Sequence, residues 1–222
     1  MKIQAMGASA LALSIAFAPA ALAGDMDLML NAGMVETSGD AWEVFDAVII
    51  DTVGIGGSYR LSDQLAATIR YDYGEIGANN DLSWDEWYDV EYQGTPGAYD
   101  GFIAAFWMHR VGAGVRFEPL EVKSIKPFVM GEADATWALV RLDDDAGTDE
   151  NVNQIEASST SFGGALSVGM AWEPVKAEGD DSFSLRLEAR AGAGFGTAFD
   201  FAELGQLELG NVRMSFGAGM SF

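Results

Sequence analysis

The sequence contains no cysteine and only 1 histidine among its 222 residues. Without cysteine there can be no disulfide framework and no thiolate metal site. With a single imidazole besides, no ligand set remains for an ordinary transition-metal centre. No resident cofactor is expected. Basic residues are scarce too: 12 Lys and Arg stand against 34 Asp and Glu, for a formal net charge of −22. An acidic chain repels phosphate backbones, so no nucleic-acid partner is expected. Past the first residues no apolar run approaches the roughly 18 residues a spanning helix requires. Yet hydrophobic residues make up 49% of the chain, too many for disorder. Two classes survive these exclusions: a soluble β-rich domain, or a barrel whose hydrophobicity is spread over alternating strands.

The chain opens as an exported protein would. Lys2 supplies a positive start, Ala8 to Ala18 a short apolar stretch, and Ala21-Leu22-Ala23 a small-x-small cleavage site. Residues 1–23 therefore read as a cleaved secretory signal, with the folded domain spanning 24–222. No cysteine follows the cleavage site, which excludes a lipoprotein anchor.

Beyond the leader, period-two alternation recurs in eight segments. It is strictest in the last, where Val212, Met214, Phe216, Ala218, Met220 and Phe222 oppose Arg213, Ser215, Gly217, Gly219 and Ser221. Such alternation specifies an extended strand with one apolar and one polar face. Leu28, Leu30, Ala32 and Met34 form the same pattern against Asp27, Met29, Asn31 and Gly33. The stretches ending VGIGGSYRL and running LAATIRYDYGEI flank a Ser62-Asp63-Gln64 reversal and make the clearest hairpin. FIAAFWMHRVGAGVRF, PFVMGEADATWAL, SFGGALSVGMAW and FSLRLEARAGAGF complete the set. The first half of FIAAFWMHRVGAGVRF is apolar on both faces and leaves its register open. A phase change between Leu209 and Val212 points to a β-bulge near Gly210.

Connectors alternate in length. Leu61–Leu65, 118–126 and 173–181 are short, whereas 77–100 and the acidic stretch 143–158 are longer, as expected of short periplasmic turns and longer outer loops. Aromatic residues sit at strand ends. Tyr59, Phe117, Trp172, Phe183 and Phe222 mark one interface, and Tyr71, Tyr73, Trp137 and Phe195 the other.

The polar faces carry the chemistry. Arg60, Arg70, Arg110, Arg116, Arg186, Arg190 and Arg213 fall on them together with Asp72, Glu132, Asp134 and Glu188. Inside a closed barrel these charges must pair, because burying an unmatched charge is costly. An Arg–carboxylate network filling the lumen is expected, with a gated ion path as the functional alternative. Lys123, Lys126 and Lys176 fall in the short turns. The outer loops hold most remaining acids, which could gather loosely bound divalent cations, although DDDAGTDEN lacks the ligand spacing of a dedicated calcium loop. Within WDEWYDVEY, Trp84, Trp87, Tyr88 and Tyr92 form a candidate surface-recognition loop, weighed equally against a strand extension whose aromatics pack on one another.

Catalysis finds little support. Ester cleavage requires a nucleophile, a base and an orienting carboxylate. His109 is mid-strand on the apolar face, and no GxSxG elbow is present.

The terminal Met220-Ser221-Phe222, with Phe216 before it, resembles the C-terminal strand of Gram-negative outer-membrane barrels. With the leader and the alternation, it makes residues 25–222 similar to the small OmpA/OmpX-type family without a peptidoglycan-binding domain. That resemblance implies an all-β, eight-stranded antiparallel up-and-down transmembrane barrel in the outer membrane. It implies that Phe216, Met220 and Phe222 act as an insertion signal read by the barrel-insertion machinery, with periplasmic chaperones upstream. Outer-membrane lipid and lipopolysaccharide would be its surroundings. Family functions range over envelope integrity, adhesion and small-solute passage. The reading adopted is a non-enzymatic envelope protein presenting acidic loops outward, with a narrow channel as the alternative and a lipid A-modifying enzyme as the least favoured.

Overall fold

The computed structural model describes residues 26–38, 49–80, 102–144, 154–176, 184–201 and 205–221. The leader, Trp84, Trp87, Tyr88, Tyr92, Phe183 and Phe222 lie outside the described residues. The ordered elements are all strands: β1 (Met26–Ser38), β2 (Ile49–Arg60), β3 (Leu65–Asn80), β4 (Phe102–Phe117), β5 (Ile125–Asp144), β6 (Gln154–Lys176), β7 (Ser184–Phe195), β8 (Ala198–Phe201) and β9 (Gly205–Ser221).

Each long strand pairs antiparallel with the next, and β1 pairs with β9 from Asp27 opposite Ser221 to Val35 opposite Arg213. The sheet is therefore closed by eight long strands, with short β8 added beside the start of β9. Closure removes the unpaired edges that an open sheet would expose to lipid. Following the registers from Met26 through Tyr59, Ala67, Val115, Gly131, Leu166 and Ala193 leads to Val212, next to the Arg213–Val35 pair. One circuit climbs from Met26 to the level of Glu36, so the strands are strongly tilted, as a barrel this narrow requires.

The alternation seen in the sequence sets the two surfaces. Leu30, Val53, Leu166, Val168, Met170 and Phe216 point outward, with Phe162 the most exposed at 75%. In water such a continuous apolar exterior would be an aggregation surface; in a bilayer it is the lipid-facing band. The opposite parity is buried in the lumen.

Three expectations need correcting. First, the strands outrun their apolar segments: β3 continues to Asn80, β5 to Asp144, and β6 runs from Gln154 to Lys176. Backbone pairing does not depend on lipid, so the ladders continue into the segments read as loops. Second, Lys126 is not a turn residue but part of β5, buried and facing the lumen. The reversal itself is tighter, with Val122 and Ile125 exchanging backbone hydrogen bonds of 2.9 and 3.1 Å around Lys123, whose φ is 60°.

The third concerns the segment before the last strand. The bulge near Gly210 is present, because Val35 opposes Arg213 while Thr37 opposes Leu209, leaving residues 210–212 facing Glu36. Two extra residues preserve parity, however, and Leu207 and Leu209 are buried on the same side as Arg213 and Ser215. The change of face occurs instead at Gly196, which adopts φ +76°. Even positions such as Arg186 face the lumen before it, and odd ones, Thr197, Phe199 and Phe201, are buried after it. β8 is thus the seventh barrel strand resumed out of phase.

Candidate functional site

The lumen is filled in tiers, and β5 crosses all of them. Its inward positions read, from the end next to the Lys123 turn, Lys126, Phe128, Met130, Glu132, Asp134, Thr136, Ala138 and Val140. They pass from charge, through an apolar and thioether step, to charge again, and end in an apolar cap.

Arg186 is the centre of the first tier and is 0% exposed. Its guanidinium donates to Glu118 Oε1 at 2.8 Å and to Glu173 Oε1 at 3.0 Å. Arg116 donates to Asp27 Oδ2 at 2.8 Å, Ser58 Oγ at 3.0 Å and Glu188 Oε2 at 3.0 Å. Lys126 Nζ donates to the same Glu173 oxygen at 2.9 Å. Charge-assisted bonds of this kind are the strong ones and offset much of the cost of burial, although Arg116 Nε and Arg186 Nε make no hydrogen bond of their own. The Arg116 guanidinium carbon also lies 5.6 Å from the centre of the Phe128 ring, which with Met130 roofs the tier.

The central tier is built around Asp72. Arg70 Nε donates to its Oδ1 at 2.5 Å, and Arg110 Nη2 to its Oδ2 at 2.8 Å. Arg213 donates to Asp134 Oδ2 at 2.6 Å and to Thr197 Oγ1 at 3.1 Å, which ties the β7–β8 kink to the network. Arg190 donates to Ser215 Oγ at 2.8 Å and lies 3.7 Å from Glu132. Glycine provides the room: a Cβ on Gly112 would stand 2.7 Å from the Glu132 carboxyl carbon.

The outermost tier is apolar. Val35, Ile50, Phe106, Met108, Val140 and Leu207 are buried with Phe199 and Phe201. The Phe106 and Phe199 rings meet edge to face at 6.0 Å. β8 is held by side chains where it faces β6: Ala198 N–H donates to Ser161 Oγ at 3.0 Å and Asp200 N–H to Ser159 Oγ at 3.1 Å.

Most of the sequence-derived network assembles. Arg70, Asp72, Arg110, Arg116, Glu132, Asp134, Arg186 and Arg213 are buried in the lumen, with Glu188 and Arg190 half-buried beside them. Arg60 does not join them. It shares the inward parity but stands at the end of β2, exposed on the rim of the mouth. The charged side chains not anticipated there are Asp27, Glu118, Lys126 and Glu173. Asp27 was legible on the polar face of its strand. The others lie where a strand runs into what reads as a turn.

His109 points outward, with its Nδ1 2.8 Å from Tyr71 Oη and its ring stacked on Trp137 at 5.6 Å. The arrangement is an interfacial aromatic cluster, joined by Tyr73 at 5.2 Å from the imidazole. Of the residues expected to serve as an insertion signal, Phe216 and Met220 lie on the outward face of β9.

A closed ladder of eight long strands, an apolar exterior and an ion-paired interior together decide the architecture. The fold is a closed, eight-stranded antiparallel up-and-down barrel with an apolar exterior. No protein-family model and no curated protein matches the sequence. Among solved structures the barrel is similar to Ail, the attachment invasion locus protein of Yersinia pestis, in complex with the heparin analogue sucrose octasulfate. That likeness has a TM-score of 0.49 at 11% identity and covers 90% of this chain and 99% of Ail. A major outer membrane protein from Thermus thermophilus gives 0.48 at 11% identity, over 89% of this barrel protein and 98% of that one. The N-terminal β-barrel domain of Pseudomonas aeruginosa OprF gives 0.26 at 12% identity, over 88% and 97%. Likenesses this distant carry no functional argument for the barrel.

Proposed function

We propose that this barrel is a non-enzymatic integral protein of a Gram-negative outer membrane, contributing to envelope integrity and presenting acidic loops outward. The observation that carries the reading is the filling of the lumen among the described residues by two ion-paired tiers and an apolar cap. Adhesion or another surface interaction would fall to the acidic and aromatic loops, including Trp84, Trp87, Tyr88 and Tyr92. Those loops would meet lipopolysaccharide, with divalent cations bridging like charges. No resident cofactor is part of the proposal, and assembly would run through periplasmic chaperones and the barrel-insertion machinery.

The non-enzymatic part is supported by His109. It is the sequence's sole imidazole, and its described contacts are Tyr71, whose hydroxyl lies 2.8 Å from Nδ1, Tyr73 and Trp137 on the lipid-facing side, with no serine and no orienting carboxylate among them. Planar-bilayer recording of the refolded protein tests the whole reading. Silence is the expected result. Stable conductance steps that change on substituting Arg190 or Glu132 would replace it with the narrow-channel function.

A further inference from the structure

We infer that the central tier encloses a binding site for one small monovalent anion of the halide class. Arg70, Arg110, Glu132, Arg190 and Arg213, with Ser167 and Ser215, line a partly open cavity of about 20 Å³ whose wall is completed by Met34, Met130 and Met214. That is room for a single water-sized occupant. Gly192 forms part of its wall, where a Cβ would lie 2.5 Å from the Leu166 carbonyl oxygen and 2.6 Å from Ser167 Cβ.

Two observations say what the occupant must be. The first is hydrogen bonding. Arg110 Nη1, Arg213 Nε and Ser167 Oγ are buried with no protein partner, and all three residues are among those lining the cavity. Buried polar groups are almost always satisfied, so this group of donors calls for a bound acceptor. Arg110 is 3% exposed, which leaves bulk solvent no access to its free donor.

The second is charge, and it separates an anion from a water. Arg70 and Arg110 share Asp72, Arg213 takes Asp134, and Arg190 has Glu132 only at 3.7 Å. The tier is one negative charge short. The first tier has the opposite excess, with Asp27, Glu118, Glu173 and Glu188 around Arg116, Lys126 and Arg186. Phe128 and Met130 lie between the two tiers. A water would satisfy the donors but leave the excess; a halide does both. Room for about one water-sized occupant favours a halide over phosphate or a carboxylate-bearing solute.

The test uses the mature barrel refolded in detergent. Its thermal unfolding is followed in sodium chloride and sodium gluconate at equal ionic strength, and crystals are grown in sodium bromide. A saturable upward shift of the melting temperature in chloride is expected, together with an anomalous bromide peak in the chamber. Arg190→Gln balances the tier and should abolish the chloride shift; Ser167→Ala keeps the charge and should weaken it. If the arginine variant does not fold, the serine variant and the bromide peak decide. Equal melting in the two salts, an undiminished shift in Arg190→Gln, or a chamber holding water only would each overturn the site. Because the readout is stability and diffraction, failure here leaves the non-conducting envelope role untouched.

Discussion

At the residue scale, two side chains of similar polarity meet opposite fates because of which face they occupy. Arg186 sits at the convergence of Glu118, Glu173 and Asp27 and has no access to solvent. Replacing it with Met would leave those carboxylates crowded and uncompensated, which typically costs about 3–5 kcal/mol. Urea unfolding of refolded Arg186→Met in detergent should show a loss of that order; a loss under about 1 kcal/mol would mean the tier is hydrated rather than ion-paired. His109 is the converse. Its imidazole is held by one hydrogen bond to Tyr71 and a stack on Trp137 at the lipid surface. A single such bond contributes about 0.5–1.5 kcal/mol. His109→Gln should therefore fold normally with a stability loss within that range, and lipid A from cells carrying it should be unchanged by mass spectrometry. An altered lipid A with normal assembly would reopen the enzymatic reading.

At the element scale, the strand that decides whether the lumen is open is the shortest. β8 turns Phe199 and Phe201 inward only because Gly196 shifts the phase at φ +76°. A side chain in that region costs about 1–2 kcal/mol, so Gly196→Ala should lower stability by that amount. Phe199→Ala removes a fully buried ring and should cost about 3–5 kcal/mol. Both are checked by the same urea titration, and a larger effect from the glycine change would mean β8 is docked by its backbone rather than its rings. The kink also explains where the sequence was legible. Outward faces can be read directly, because lipid demands an apolar residue at every second position and Leu166, Val168 and Met170 comply. The polar lumen follows by parity, hence Arg70, Asp72, Arg110 and Arg213. The cap does not, because Phe106, Met108, Leu207 and Leu209 are apolar and inward, and alternation cannot distinguish them from lipid-facing residues. Strand ends are equally opaque: pairing from Gln154 onward obeys backbone hydrogen bonding, which leaves no mark in hydropathy.

At the scale of the whole molecule, β9 is the element on which closure waits. It pairs with β7 on one side and with β1 on the other, so until it arrives the sheet has two open edges. In lipid each unpaired backbone group costs several kcal/mol, which makes the half-formed sheet a poor membrane species. The proposed reading has assembly present the last strand early, its outward residues Phe216 and Met220 being what a partner in the envelope would grip before closure. Phe222 extends that alternation by one aromatic residue. The expectation for Phe222 is that it adds no packing after closure, so that its loss changes stability by no more than about 0.5 kcal/mol. Deleting Phe222 should thus separate kinetics from equilibrium. Outer-membrane levels in cells should fall severalfold, while protein refolded in detergent should unfold at the same urea concentration as the full chain. Unchanged cellular levels would show that the terminal aromatic is not read during insertion. A matching loss of refolded stability would move its role from recognition to packing.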